Sequence, residues 1–491
     1  MPAEHFDVVI IGAGLSGIGA ACHLTRECPE KSFVLLEARN AMGGTWDLFR
    51  YPGIRSDSDM NTLGYNFKPW TNPKAIADGP SIRAYIHETA AEYGVDKKIR
   101  YGLKVKHARW STPEAAWTLE CAKADGSTTT IICNFILGCT GYYNYDKGYT
   151  PEFAGRDDFQ GTVIHPQFWP ESFDYTGKRV VVIGSGATAV TLVPSLTDKA
   201  AHVTMLQRSP TYVVAVPQKD KMAIAMRERG VPEKLIYRII RTRNVGLTMA
   251  FYNLCRAKPE MMKKFIIDRA KAMMPNVDIK HFTPSYNPWD ERLCAVPSGD
   301  MFRALNAGKA SVVTDHIERF TKTGIQLKSG EHLEADVIVT ATGLELLPLG
   351  GVQVSVDGKA VSPAGKLYYK GLMLEGVPNA GMTFGYTNAS WTLKADLTSE
   401  YVCRLLKHMD KKGMRQVTPV NRDAQLERMP LVNMRSGYIQ RATAFMPQQG
   451  VKSPWRLYQN YAKDLVALRY GRLDDGVLEF SNPEKRGRYA A

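Results

Sequence analysis

DVVIIGAGLSGIGAACHL, residues 7–24, runs an apolar segment into Gly12-x-Gly14-x-x-Gly17 and on into a helical pattern rich in small residues. Each glycine has a physical reason. Gly12 permits a tight turn, Gly14 lets a pyrophosphate approach the backbone, and Gly17 lets the helix pack closely on the strand, with its amide end toward the phosphates. A second apolar run closes on LLE, residues 35–37, which puts Glu37 where it can accept hydrogen bonds from a ribose diol. A glycine-rich turn alone is weak evidence. Strand, turn, helix, strand and acid in this order predict a dinucleotide-binding, Rossmann-like unit.

The pattern recurs in KRVVVIGSGATAVTLVPSL, residues 178–196, as Gly184-x-Gly186-x-x-Ala189 with Thr188 inside the turn. The strand that follows, HVTMLQRSP at residues 202–210, ends on Gln207, Arg208 and Ser209 rather than on an acid. A carboxylate there would repel a 2′-phosphate, whereas a guanidinium pairs with one. The first turn therefore reads as binding an unphosphorylated ribose, and the second as binding NADP through Gly184, Gly186, Thr188, Ala189, Arg208 and Ser209. The bland alternative for Arg208 is a solvated surface arginine.

Two such turns predict an α/β chain with two dinucleotide-binding domains of the glutathione-reductase type, an FAD domain interrupted by an NADPH domain. FILGCTGYYN, residues 135–144, and VIVTATGL, residues 337–344, are apolar runs ending in small residues, as expected where the chain passes between domains. The expected division is 1–145 and 345–491 for FAD, 146–215 and 291–344 for NADPH, and 216–290 as an inserted helical segment. Basic and apolar residues alternate there at helical spacing, as in RIIRTRN and MMKKFIIDRAKAMM.

Composition narrows the class. The 491 residues are 44% hydrophobic and 23% charged, an ordinary globular balance. The net charge of +14 is concentrated between Lys219 and Lys280, which reads as a solvated basic helical face, with a weak peripheral membrane contact as the alternative. No nucleic-acid-binding signature is present. No apolar run reaches the length of a membrane span, and the opening MPAEHFDVVIIG has no signal-peptide pattern. Eight scattered cysteines form no close-spaced pair, which argues against a disulfide framework, a dithiol reductase or a metal site. The expectation is a cytoplasmic, reduced protein.

Two further segments carry a family resemblance. MGGTWDLFRYPGIRSDSD, residues 42–59, places Gly43, Gly44, Trp46, Tyr51, Pro52, Gly53 and Asp57 in a turn-rich loop after the Glu37 strand. FQGTVIHPQFWPE, residues 159–171, sets Phe159, Gly161, His165, Trp169 and Pro170 just before the second turn. The first resembles the [AG]GxWxxxx[FY]P[GM]xxxD segment of type I Baeyer–Villiger monooxygenases, and the second resembles their FxGxxxHxxxWP fingerprint. Trp169-Pro170 is the discriminating pair, because ordinary flavin monooxygenases have an aromatic and a lysine there. The likeness runs through essentially the whole chain and extends to NPWDERLC and GYTNASWTLKADL, as in the branch that holds the ethionamide-activating monooxygenase.

The resemblance implies an oxidoreductase using FAD, NADPH and O₂ to convert ketones to esters or lactones through a C4a-peroxyflavin, with sulfide and thioamide oxygenation as a side activity. It implies Arg292 as the cation of the reacting centre, Asp57 as the group that orients it, and His165 as a catalytic residue in the interdomain linker, where hinge control ranks above direct acid–base catalysis. Gly44, Trp46 and Asp57 would lie along the flavin. Asn388 or Ser390 is the expected cap of a helix whose amide end faces the reduced flavin. Family members often carry a lysine before the active-site arginine; here Glu291 stands in its place, which removes one expected NADP phosphate contact. An N- or S-oxygenating flavin monooxygenase is the nearest alternative, and a catalytically silent NADPH sensor is the alternative of another class.

Overall fold

The computed structural model describes residues 3–483. Two parallel sheets organise it. In the first, strands Ile99–Arg100, Phe33–Leu36, Glu4–Ile11, Thr128–Gly138 and Ala380–Met382 lie side by side, all parallel. Val8, Val9 and Ile10 are fully buried, because a parallel strand covered on both faces needs an unbroken apolar run. The long strand Thr128–Gly138 also pairs antiparallel with Ala116–Ala122, and Lys104–Ser111 and Gln353–Val356 extend the sheet beyond it. In the second sheet, Ala310–Thr314, His202–Gln207, Arg179–Ile183, Val337–Thr340 and Thr162–Ile164 are all parallel. The α/β class with two Rossmann-like units is therefore the observed architecture.

The chain leaves the first unit near residue 139 and returns near residue 341. These two passages run beside each other as an antiparallel ribbon, with Leu344 opposite Gly148 and Leu346 opposite Tyr143. Buried contacts join the units as well: Phe49 and Tyr51 enter the core of the second unit, and Tyr237 enters that of the first.

Helices Lys221–Glu228, Glu233–Ala257 and Pro259–Met273 form the inserted segment. Asp220 caps the first by accepting from Met222 N and Ala223 N, and Pro259 opens the third, where its missing N–H costs nothing. The basic residues of the segment are mostly exposed, as the sequence suggests. The middle helix, however, buries Ile236, Tyr237, Ile240 and Arg241, and its Tyr237 hydroxyl donates to Tyr65 O of the first unit (2.8 Å). The segment thus bridges both units: its middle helix packs against the first, while Ala270 and Met274 at the end of its third helix enter the core of the second. Sequence spacing could not show this, because an amphipathic stripe does not name the surface it covers. No helix among the described residues is long and apolar enough to cross a membrane.

Candidate active site

Backbone packs closely against the first glycine turn. Gly12 adopts φ 103°, and a Cβ there would lie 2.6 Å from Cys139 O. A Cβ on Gly17 would overlap the carbonyl of Gly12, so helix Leu15–Glu27 can pack this closely only through glycine. Gly14 faces Gly44 of the 42–59 loop, where a Cβ on Gly44 would come 2.9 Å from Gly14 Cα. Glu37 is buried at the end of its strand. One carboxylate oxygen accepts from Ala13 N (2.8 Å), the other from Arg39 N (2.9 Å). Burial raises the pKa of this carboxyl against those donors. Trp46 packs, partly buried, on the core of the first unit.

The second turn is more open. Gly184 takes φ 135° against Ala341 O, but a Cβ on Gly186 would meet nothing. No packing reason requires glycine at 186, and the free space above it fits a phosphate. Thr188 lies beside Tyr51, and Ala189 is fully buried in the helix–sheet contact. Ser185 Oγ donates to Ser209 O (3.3 Å), which ties the strand end carrying Arg208 and Ser209 to the glycine turn. Arg208 is exposed, and Glu291 lies close enough to feel its charge. Burial raises the Glu291 carboxyl, while Arg208 and Arg435 pull it down.

The 42–59 loop spans both turns. Gly44 abuts the first, Gly53 presses on Ser195 of the second unit's helix, and Arg55 forms an ion pair with Asp300 of the second unit. Asp57 is open to solvent yet recessed among protein atoms. Burial raises its carboxyl, and Arg292 and then Arg55 counteract this. Arg292 sits just before strand Cys294–Pro297, and its Nε donates to Thr387 O (3.4 Å). Desolvation opposes its charge, but Tyr142, Tyr438, Tyr143 and Asp57 more than compensate, and its pKa is raised. Among the described residues no ion pair joins Asp57 to Arg292, so the structure brings the two into electrostatic range and leaves the direct grip to the Thr387 carbonyl.

Around Arg292 stands an aromatic shell that sequence reasoning missed. Tyr142 and Tyr143 share a hydroxyl contact (3.0 Å), Tyr142 stacks on Trp391 at 5.2 Å, and Phe384 lies 5.6 Å from Tyr142. Tyr438 comes from the 431–446 segment, whose apolar residues pack with Phe384 and Trp391. The doubled tyrosine in FILGCTGYYN was the available signal, but in sequence it reads only as a strand end.

Helix Trp391–Lys412 begins in this shell. Ser390 occupies the cap position, but its hydroxyl meets Thr62 Oγ1 (2.6 Å) and caps no helix amide; Asn388 donates to Gln459 O (2.9 Å) and caps none either. The expected side-chain cap is therefore absent. The first amides of a 22-residue helix remain unclaimed by either side chain, and the buried Asn388 Oδ1 and Thr392 Oγ1 have no partner. Donors and acceptors left open beside a closed glycine turn fit the polar edge of a bound ring system. Trp391 Nε1 donates to Ser16 Oγ (2.7 Å), which fixes this helix end to the first turn.

His165 follows strand Thr162–Ile164 and contacts the interdomain ribbon. Its Nε2–H donates to Gly343 O (3.3 Å) and its Nδ1 accepts from Gln167 N (3.2 Å). Burial lowers its pKa against the pull of the Gly343 and Tyr149 carbonyls. Gln167 Nε2 donates to Asn144 O (2.9 Å) and Tyr145 O (3.1 Å), and Trp169 is buried with Phe49 and Tyr51 of the 42–59 loop. The 159–171 fingerprint thus touches the second sheet, the ribbon and the loop between the turns at once. Among the described residues there is no cluster of metal-ligating side chains.

Two Rossmann-like glycine turns bridged by one loop are the frame of a two-dinucleotide enzyme, and the comparisons place the chain among the flavin-dependent monooxygenases. The family model of flavin-binding monooxygenase-like proteins matches residues 71–348, and a model of NAD(P)-binding Rossmann-like domains matches residues 10–72. The chain belongs to the flavin-binding monooxygenase-like family. It is 53% identical over 481 residues to the FAD-containing monooxygenase EthA of Mycobacterium tuberculosis, covering 97% of this chain and 98% of that one. The probable FAD-binding monooxygenase AlmA of Acinetobacter baylyi is 50% identical over 480 residues, covering 97% and 96%. Among solved structures, an oxidised steroid monooxygenase bound to NADP superposes with a TM-score of 0.75 at 23% identity, over 97% of this chain and 99% of that one. An open form of cyclohexanone monooxygenase gives 0.75 at 20% identity, over 98% and 100%. These two share the fold.

Proposed function

We propose that this protein is an FAD- and NADPH-dependent Baeyer–Villiger monooxygenase, which uses O₂ to convert ketones to esters or lactones and oxygenates sulfides and thioamides as a side activity. The observation that carries the reading is Arg292, a half-buried guanidinium among Tyr142, Tyr143 and Tyr438 with Asp57 in electrostatic range. Gly12, Gly14, Gly17, Glu37, Gly44 and Trp46 would hold FAD, and Gly184, Gly186, Thr188, Ala189, Arg208 and Ser209 would hold NADPH. When bound, the flavin supplies hydride acceptance and oxygen activation.

The chain's own residues supply position and charge. Arginine stays protonated at any working pH, so Arg292 stabilises negative charge on the reacting oxygen atoms without giving up a proton to them. A fixed cation in a water-poor site lowers such a barrier by about 3 kcal/mol. The Thr387 carbonyl aims Arg292, and Asp57 tempers its field. The open amides of helix Trp391–Lys412 favour negative charge on the ring system they face. Tyr142, Phe384, Trp391 and Tyr438 exclude water. His165 acts on the ribbon and touches no reacting atom. The test is product analysis with linear, cyclic and aryl ketones offered beside a tertiary amine. Esters or lactones support the reading; exclusive amine oxidation replaces it with the N-oxygenating one.

A further inference from the structure

We propose that Arg241, on the inserted helix, is a positioning residue of the flavin site: it holds both the segment that follows Asp57 and the start of helix Trp391–Lys412. This inference rests on the function proposed above. Arg241 is 8% exposed. Its Nη1 donates to Asn61 O and Gly64 O (2.8 Å each), Thr62 O (3.3 Å) and Tyr237 Oη (3.1 Å), while Nη2 donates to Asp396 Oδ2 (3.3 Å).

The three carbonyls close the C-terminal end of the short helix Met60–Leu63, whose last carbonyls have no intrahelical donors. The other end of that helix is held by the same inserted helix. Asp59 accepts from Asn61 N (3.1 Å) and Thr62 N (3.2 Å), and Asn244, one turn beyond Arg241, donates to the same Asp59 oxygen (2.8 Å). Asp57 lies two residues upstream of Asp59, so fixing this helix fixes the loop end that carries Asp57. Thr62 passes the constraint on through its contact with Ser390 Oγ, the residue before the first turn of helix Trp391–Lys412 (2.6 Å). Asp396, less than two turns into that helix, is the second anchor. Arg241 also neutralises part of the buried charge there, since Asp396 further accepts from Asn66 N (2.8 Å) and meets His23 Nε2 (3.2 Å).

Docking alone would not need this arrangement. Arg227, on the neighbouring helix, also ties the inserted segment to the first unit, donating to Trp70 O (3.2 Å) and pairing with Glu233. It reaches neither Asp57 nor helix Trp391–Lys412. A positional error of about 1 Å passed to groups beside a reacting centre costs on the order of 100-fold in rate, far more than the loss of a docking contact.

The experiment compares full-length flavin-loaded wild type, R241M, R241K and R227M, reading the flavin midpoint potential and the release of H₂O₂ from NADPH and air without substrate. In R241M, peroxide release is expected to rise about fivefold or more, with a displaced potential and an unchanged Kd for NADPH. R241K, whose single ammonium cannot replace the forked guanidinium, is expected to show a rise of about twofold or more. R227M should match wild type in both readouts. Wild-type peroxide release and potential in R241M, with only a lower melting temperature, would overturn the proposal. If R241M does not fold, wild-type values in R241K overturn it equally. A wild-type chain that takes up no flavin would instead sink the proposed function, and this inference with it.

Discussion

Arg292 and Arg208 carry like charges in different surroundings, and the difference sets what each can do. Arg292 is half-buried among Tyr142, Tyr143 and Tyr438 and donates to a backbone carbonyl, so its charge is screened less than that of a surface arginine. Its removal should leave the first half-reaction intact and abolish the second. R292A is expected to be reduced by NADPH at close to the wild-type rate but to form ester at least about 10³-fold more slowly, as gas chromatography would show. Normal ester yield from R292A would remove Arg292 from the mechanism. Arg208 is exposed, stands at the end of its strand and is shadowed by Glu291. R208A should raise the KM for NADPH about tenfold or more and leave that for NADH nearly unchanged, since only the 2′-phosphate differs. Equal losses for both cofactors would mean that the strand end does not read the phosphate.

At the scale of elements, helix Trp391–Lys412 shows where sequence stops being legible. Its existence, its start near residue 390 and its place near the first turn follow from TNASWTLKADL. Its buried charges do not. His23, on helix Leu15–Glu27, is 1% exposed and lies between Glu27 Oε1 (3.1 Å) and Asp396 Oδ1 (3.2 Å). In sequence it is one histidine in an alanine-rich helix. One of its carboxylate partners lies four residues away, and the other lies on a helix that begins 368 positions later. Burial opposes protonation, but Asp396 and Glu27 outweigh it and raise its pKa to about 9. The folded value exceeds the unfolded one, near 6.5, so the protonated histidine stabilises the fold fully below pH 6.5. That stability is lost as pH rises through about 9. Chemical denaturation of the wild type is expected to lose a few kcal/mol between about pH 6 and 10 from this group, at about 1.4 kcal/mol for each pH unit separating the unfolded and folded values. H23N, which cannot carry the charge, should show that much less pH dependence. An unchanged slope would mean that His23 is neutral in the fold.

For the whole molecule, the two glycine turns in order, their different strand ends and the apolar runs on either side made two Rossmann-like units readable from residues alone. Arg292 and the 42–59 loop were singled out through the family resemblance of short segments, and the structure brings Asp57 into electrostatic range of Arg292. The aromatic shell and the docking of the inserted helix were not singled out, because both depend on chain segments that meet only after the two sheets are assembled. The ribbon between the units is intermediate: the 159–171 fingerprint marked it, and the structure supplies its contacts. His165 clasps the Gly343 carbonyl, Arg441 stacks over Tyr149 (3.4 Å to the ring centre), and Thr342 Oγ1 donates to Tyr149 O (2.7 Å). The 431–446 segment thereby meets the ribbon through Arg441 and the Arg292 shell through Tyr438, so one segment links the ribbon to the site.

Gly148 tests this coupling without touching the reacting centre. It lies in the ribbon opposite Leu344, and a Cβ there would overlap the imidazole of His165. Its backbone is not in the left-handed region, so alanine is costly only because the ring is in the way. G148A should therefore push His165 off Gly343 O and slow turnover about tenfold, with flavin content and the Kd for NADPH retained. H165A should slow it similarly by removing the clasp. The decisive comparison is the double variant: with the ring gone, the added methyl has nothing to displace, so G148A/H165A should be no slower than H165A. Kinetics on all four proteins would give an interaction energy of about 1–2 kcal/mol if the glycine exists to seat the histidine. Additive losses would mean that Gly148 serves the ribbon for some other reason, and the histidine's place on the hinge would then explain nothing about turnover.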